Sequence, residues 1–436
     1  MEIKPFKAFR YNPDIAGNPG DCAAPPYDVI DTAQQEKLYQ LSPYNIVRIT
    51  RGKVSPSDTE KDNQYTRAAQ FFNGWIRNKV LKRDDINSIY ACVQDFQLHG
   101  RAFRRSGFIA LARLEEFGSR VQPHEKTLDA PKADRLKLLQ AADAQFGQVF
   151  MLYDDRQKIA EKIMAEAAKG KPLVDFVDDD DARHRLFQIS DTNNIEAIQK
   201  MMSDKSGVIA DGHHRYETAL NYYRQTGRPS AGWQMMTFVN MRNEGLIILP
   251  THRLVNGLNG FDAAGFLRQL EAGFQIQSCE FADSLQKDTA RNTMFAKMRD
   301  ALVENKNAFG IYTGSSRFYV LVLKDRSLMT QAMPHMSDAL KALDVSVLHC
   351  LILEKALGIG DEQLACESHI EYIKDINQAV DKAIKTVDNG KAQVLFFMNP
   401  TKIEQVKAVA AAGEKMPQKS TFFYPKVFSG LTINRL

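Results

Sequence analysis

Five consecutive residues, Asp211-Gly212-His213-His214-Arg215, form the stretch of the chain richest in chemical groups. They follow the apolar run Gly207-Val208-Ile209-Ala210 and precede Tyr216, Ala219, Leu220 and Tyr223 at helical spacing. This order predicts a short buried strand, a tight turn at Gly212 and a helix opening at about His214. The first N–H groups of a helix have no internal partner and carry partial positive charge, so a phosphate fits there. Arg215 adds a planar fork that can hold phosphate oxygens bidentately. His214 can donate a further hydrogen bond, and Gly212 and His213 belong to the same phosphate-binding turn. Asp211, at the strand end, is placed to hold a divalent metal, Mg²⁺, or to orient a hydroxyl. The competing reading is a plain strand-to-helix corner with Asp211 as its N-cap. A metal held by the adjacent histidines alone is disfavoured, because neighbours in a helix do not share a face.

Three further groups carry candidate chemistry. His124-Glu125 opens like the His-Glu-x-x-His of zinc proteases, but position 128 is Leu128, which excludes that site. Glu125 remains a candidate general base for an acceptor hydroxyl, against the alternative of a loop carboxylate capping the next helix. His124 and Thr127 stand beside it as candidate substrate-binding residues. The segment Gly413–Ser420 superficially resembles a P-loop. It lacks the glycine before Lys419 and any apolar strand into Gly413, so that reading fails. Lys419, Ser420 and Thr421 still group a charge with two hydroxyls, which suits a phosphate or a carboxylate, or else belongs to a structured tail. Pro25-Pro26-Tyr27-Asp28 forbids helix, and Tyr27 and Asp28 are candidates for the wall of the same cleft. Asp178–Asp181 reads as a solvated turn, and His349-Cys350 lies on an apolar stripe that reads as core. Thr251-His252-Arg253 either faces a phosphate or sits at a strand edge.

The elements that must position these groups are those of an ordinary folded protein. The 436 residues are 44% hydrophobic and 25% charged, enough for a large core and several domains. Lys plus Arg (57) nearly balances Asp plus Glu (53), so no strong field commits the chain to nucleic acid or a membrane. Cys22, Cys92, Cys279, Cys350 and Cys366 are odd in number and lack a C-x-x-C, which argues against a disulfide framework or structural zinc and for the cytoplasm. No run approaches the ~18 apolar residues of a membrane span. The proline-rich first 50 residues read as a structured loop followed by a short helix, and beyond them come a helix over 62–80, a hairpin around His99-Gly100 and helices over 133–144, 155–169 and 193–203. Beyond the motif come a strand over Trp233–Asn240, a hairpin around Gly314-Ser315, a helix from Val345 to Leu353 and a strand over 393–398. Strands and helices alternate without a strict βαβ rhythm, so the fold class is mixed α/β (α+β).

Asp211–Ala219 resembles the nucleotide-binding motif of the ParB/sulfiredoxin superfamily, in which ParB proteins bind CTP and sulfiredoxins bind ATP phosphates. Free-serine kinases of that superfamily carry an Asp-Gly-x-x-Arg variant. His213 stands where sulfiredoxins have their catalytic cysteine, a departure that removes sulfinate reduction. Ala24–Ile30, Pro123–Thr127, Asp134-Arg135-Leu136, Asp211–Arg215 and Pro417–Lys426 occur in an order similar to the domain of unknown function 1015 family. The resemblance implies a ParB/sulfiredoxin-like core with large insertions over 1–230, a second α/β portion over 231–415, and a motif over 416–436 that returns to the cleft. It also implies a kinase acting on a small-molecule substrate, with ATP, ADP or pyrophosphate as donor and free L-serine as acceptor. Asp211 and Glu125 would be catalytic, with Mg²⁺ near Asp211, and Arg215, Lys419 and Ser420 would offset charge. Glu125, Asp211, Arg215 and Lys419 are then expected in one cleft. The alternative is a ParB-like protein that binds CTP or ATP without turnover, DNA-associated or metabolite-sensing. A homodimer is allowed, a membrane is not expected, and nucleic acid is disfavoured.

Overall fold

Apolar alternation in the strands and apolar stripes in the helices produce two large sheets, each with helices packed on it. The computed structural model describes residues 1–127, 129–360, 363–364 and 368–436. They form two units, one from residues 1–123, 127–247 and 423–436 and the other from 124–126 and 248–422. Each combines helices with a sheet, as the mixed α/β reading requires.

The first unit is organised around the long hairpin Ile89–Leu98 and Arg101–Arg113. His99 and Gly100 both have positive φ, the conformation whose twist matches that of paired strands. The sheet runs Val121–Gln122, Gly207–Asp211, Val149–Tyr153, Trp233–Asn240, Arg101–Arg113, Ile89–Leu98, Arg183–Ile189, Val174–Val177. The motif strand Gly207–Asp211 is thus near an edge, parallel to Val121–Gln122 and antiparallel to Val149–Tyr153. Its register shifts between Ile209 and Asp211, a bulge that re-aims the side chains at the strand's end. Ile209 packs with Met151, Phe108 and Phe238, and the helix His213–Thr226 adds Tyr216, Ala219 and Leu220 to that cluster. Burial at roughly 1.5–3 kcal/mol per large apolar side chain fixes the helix against the sheet.

The helix expected over 62–80 is Gln64–Arg77. The Asn63 side chain accepts from the N–H groups of Tyr65 and Thr66 at 3.0 and 3.2 Å, and Phe72 and Trp75 are buried. The first 50 residues hold more structure than a loop and one helix. Ile3–Lys4 pairs with Arg101–Arg113, and Phe9–Tyr11 pairs with Leu81–Arg83. Strands of two or three residues are too short to show a period.

The second unit is a six-stranded antiparallel sheet ordered Phe274–Glu280, Arg317–Leu323, Ala308–Tyr312, Val394–Met398, Thr251–Val255, Ile370–Lys374. The helices Ser284–Val303 and Ala379–Asp388 bury Met294, Met298 and Ile384 against Leu254, Phe318, Leu395 and Phe397. The short piece 124–126 joins this unit through Met416, whose N–H donates to the His124 carbonyl at 2.7 Å. The helix expected from Val345 to Leu353 contains a π-helical segment, Leu348–Glu354, with Leu348, Ile352 and Leu353 buried. Among the described residues no helix is long and apolar enough to cross a membrane. None of the four described cysteines forms a disulfide, and Cys366 lies outside the described residues.

Candidate functional site

The turn at Gly212 explains itself physically. Its φ is +89°, and the helix begins at His213, one residue earlier than the spacing indicated. Gly212, not Asp211, is therefore the residue before the helix, which removes the N-cap reading of Asp211. A Cβ at Gly212 would lie 2.9 Å from both Nε and Nη2 of Arg215. A Cβ at Gly147 would lie 3.1 Å from Nη1 of the same side chain. The guanidinium is seated between two bare backbones, which only glycine permits at Gly212. Arg215 is 14% exposed, and its Nε is buried without a hydrogen-bond partner. His213 is buried and His214 half-buried in the first helical turn.

Asp211 faces two cations. Lys426 Nζ donates to Oδ2 at 2.8 Å, and Arg215 Nη2 lies 3.6 Å from Oδ1. Burial pushes the carboxyl up, but the charges of Lys426, Arg215 and His213 together outweigh it and hold it well below the usual carboxylate range. Both oxygens are engaged by positive groups, and no three ligating side chains group as a metal site among the described residues. The expected Mg²⁺ site at Asp211 does not fit this donor set. The turn fits an anion.

A cavity of about 70 Å³ opens beside Arg215. Tyr27, Thr50, Arg135, Gln145, Gln234 and Ser429 give it polar walls, and Leu138, Leu139 and Phe146 an apolar side. Arg135 lies 3.8 Å from the centroid of the Tyr27 ring and donates to the Thr50 carbonyl at 2.8 Å. Burial, reinforced by Asp28, pushes the Tyr27 phenol up to about 12 against the pull of Arg135 and Arg215, so it is a neutral donor at neutral pH. Asp28 is exposed and is not in the wall of this cavity.

Lys426 reaches Asp211 because its backbone is held from beneath. Arg105, 1% exposed, donates to Gln94 Oε1 at 2.8 Å and to the carbonyls of Tyr424 and Pro425. Gln94 Nε2 donates to the Lys426 carbonyl at 2.9 Å and touches His184 Nδ1 at 3.2 Å. His184 Nε2 lies 2.8 Å from Asp178, whose other oxygen accepts from the N–H groups of Asp180 and Ala182. The acidic run 178–181 is thus a turn, and it also docks a buried histidine.

The second unit holds the other candidates. The N–H of Lys419 donates to Glu125 Oε1 at 3.3 Å, and Lys419 itself has a φ of +55°. His124 Nε2 lies 2.9 Å from Thr421 Oγ1. The Ser420 hydroxyl donates to the Pro417 carbonyl at 2.5 Å, while its own carbonyl accepts from Thr401 at 2.8 Å. His124, Glu125, Lys419, Ser420 and Thr421 are therefore one group, built on the pairing of Glu125 with Met416. Tyr27, Asp211, Gly212, His213, His214 and Arg215 belong to the first unit. Thr127, also in the first unit, donates to Glu217 at 2.9 Å, a carboxylate that Lys132 approaches at 3.3 Å.

Sequence reading overlooked Arg135, Gly147, Lys426 and Ser429. Arg135 and Lys426 lie inside the motifs quoted above, and that membership was the available signal. Gly147 and Ser429 carry no local signal, because their role is to approach Arg215 from elsewhere in the chain.

No curated protein matches the chain. Among solved structures, a free serine kinase in complex with AMP is 13% identical over 72% of this chain and 86% of that one, with a TM-score of 0.34. A conserved hypothetical protein from Pyrococcus furiosus is 14% identical over 73% and 92%, with a TM-score of 0.35. SbnI with a C-terminal truncation, from Staphylococcus aureus, is 10% identical over 75% and 87%, with a TM-score of 0.35. Overlaps this loose carry no argument about this chain. A family model matches residues 3–346, so it takes in the turn and both arginines of the cavity and stops short of Pro417–Lys426. On that match, the chain belongs to the family described as protein of unknown function (DUF1015).

Proposed function

We propose that the protein is a small-molecule kinase that transfers a phosphoryl group from ATP, ADP or pyrophosphate to a hydroxyl, with free L-serine as acceptor and O-phosphoserine as product. The observation that carries this reading is the Arg215 guanidinium, seated between Gly212 and Gly147 with its buried Nε unpaired and Arg135 in the same cavity wall. A guanidinium beside a helix N-terminus suits phosphate oxygens, while Arg135 in the same wall is paired with Asp134. In this reading Gly212, His213, His214 and Arg215 bind the donor, and Asp211 orients Arg215 and Lys426. Glu125 takes the acceptor's proton as the new P–O bond forms, while Lys419, Ser420 and Thr421 offset charge on the transferred group. Tyr27, His124 and Thr127 hold the acceptor. Serine as that acceptor comes from the motif's resemblance to free-serine kinases.

A phosphorus NMR assay tests this, with ATP, ADP, CTP or pyrophosphate offered against an amino-acid pool that includes serine, with and without Mg²⁺. A phosphomonoester resonance that depends on serine is expected. Arg215→Gln and Glu125→Gln should each lower turnover about 100-fold, the scale of charge-stabilising and acid–base groups. No phosphomonoester from any donor, or unchanged turnover in both variants, overturns the reading. A second reading, a CTP- or ATP-binding sensor without turnover, is favoured by the two cations that engage Asp211. Stoichiometric nucleotide binding with no product would select it. Its DNA-associated form additionally requires a salt-dependent shift with duplex DNA.

A further inference from the structure

We infer that the cavity beside Arg215 holds its ligand by a carboxylate and a short carbon body and does not read an ammonium. The acceptor class is then short hydroxy carboxylates, of which serine is one member. This deepens the proposed kinase reading and rests on it for the ligand's role as acceptor. Among the described residues Arg215 donates no hydrogen bond, and its contact with Asp211, at 3.6 Å, is shared with Lys426. Its Nε and Nη2 lie against Gly212, and its Nη1 lies against Gly147. A Cβ at Gly147 would stand 3.1 Å from Nη1 and 2.9 Å from Ser429 Oγ, so both polar atoms converge on the hollow left by the missing side chain. Gly147, Arg215 and Ser429 all line the cavity. The Ser429 backbone is fixed, since its N–H donates to the Ala24 carbonyl at 2.7 Å and its carbonyl accepts from the Ala24 N–H at 3.2 Å. Its hydroxyl, and the phenol of Tyr27 in the same wall, have no hydrogen-bond partner among the described residues.

The remaining polar walls already have partners. Thr50 and Thr218 donate to the carbonyls of Ile46 and Lys132 at 3.2 and 3.3 Å. Arg135 is held by Asp134 and by the Thr50 carbonyl, both at 2.8 Å. Gln145 donates to the Trp233 carbonyl and accepts from the Met235 N–H, both at 2.8 Å. Gln234 donates to the Met235 carbonyl at 3.0 Å, which leaves one uncharged amide oxygen. The open donors are therefore Arg215, Ser429 and Tyr27, and they face the apolar side made by Leu138, Leu139 and Phe146. A single oxyanion on a carbon body completes such a site. No carboxylate lines the cavity among the described residues, so an ammonium gains no counter-ion there. The cavity measures about 70 Å³. At the ~10–15 Å³ that one water needs, it has room for about five or six non-hydrogen atoms. That admits a three-carbon carboxylate and excludes a nucleoside.

The test is calorimetry on the full chain without a phosphoryl donor, at ionic strength held constant with chloride. Three probes are titrated: L-serine, 3-hydroxypropionate, which lacks the ammonium, and ethanolamine, which lacks the carboxylate. 3-Hydroxypropionate should bind within about tenfold of serine or more tightly, and ethanolamine should not bind. Gly147→Ala puts a methyl group into the hollow, and Ser429→Ala removes one donor. Each should weaken 3-hydroxypropionate by about tenfold or more, the scale of a hydrogen bond to a charged group. If Gly147→Ala does not fold, Ser429→Ala decides alone. The inference is overturned if ethanolamine binds, if 3-hydroxypropionate does not, or if serine is preferred by more than that margin. Undiminished binding in the folded variants overturns it as well. The kinase reading fails separately: 3-hydroxypropionate binding that these variants weaken, with no phosphomonoester from any donor, removes the kinase and keeps the ligand class. Serine phosphorylation with carboxylate binding untouched by the variants removes the inference and keeps the kinase.

Discussion

Asp211 is a carboxylate whose partners decide its role. In isolation it is an acid at the end of a strand, suited to a metal or a hydroxyl. With Lys426 at 2.8 Å and Arg215 at 3.6 Å it is an anchor for two cations. Asp211→Asn should cost roughly 3 kcal/mol by leaving two mostly buried cations facing a neutral amide. Because the folded carboxyl titrates below its ordinary value of about 3.9, its contribution is complete above that pH and is lost as pH falls toward the folded value. The stability gap between wild type and Asp211→Asn, read by urea unfolding, should be full at pH 7 and smaller at pH 3. An equal gap at both would mean that packing, not charge, is what the variant loses. The residue types of this site were legible in the sequence. Lys426 was not legible as the partner, because 215 positions separate it from Asp211 and nothing local links them.

At the scale of elements, strand, glycine turn and helix followed from periodicity and from the turn chemistry of Gly212. What periodicity does not report is the bulge at the strand's end and the guanidinium folded back on the turn. Gly212→Ala should therefore do two things. It should cost about 1–3 kcal/mol for a non-glycine residue in that backbone region. It should also displace Arg215, lowering phosphate affinity at least tenfold by calorimetry. Gly227→Ala at the other end of the same helix is the matched control. Its φ is +61°, but a Cβ there would meet nothing within 4 Å, so strain is expected without loss of phosphate binding. Equal phosphate affinities in the two variants would detach the close approach at Gly212 from function. The π-helical turn escaped sequence reading for a related reason. Its apolar residues satisfy helical spacing closely enough that one wider turn leaves no trace.

At the scale of the whole molecule, each unit is assembled from separate stretches of chain, three in the first and two in the second. A partition into consecutive blocks at 230/231 and 415/416 is blind to that, since composition does not change where the chain leaves one unit for the other. The last stretch, 423–436, buries Phe423, Tyr424, Phe428, Leu431 and Ile433 in the first unit and supplies the carbonyls that receive Arg105. Its deletion should leave Arg105 charged, buried and without two acceptors, at roughly 3–5 kcal/mol beyond the lost packing. Circular dichroism during thermal unfolding should then register loss of the cooperative transition or a large fall in Tm. A deletion variant that unfolds like wild type would remove Arg105 and its carbonyl acceptors from this account.

By itself the sequence determined the fold class, the strand–turn–helix at 207–226, the need for glycine at 212, and a set of residue types suited to an anionic ligand. Those features are local, because period, turn chemistry and side-chain charge act over a few residues. Only the tertiary structure decided which charges meet. It turned Asp211 from a metal ligand into an anchor and brought Arg135, Gly147 and Ser429 to the cavity beside Arg215. The physical reason is that electrostatics and packing depend on separation in space, and here the separations are set by contacts between residues tens to hundreds of positions apart.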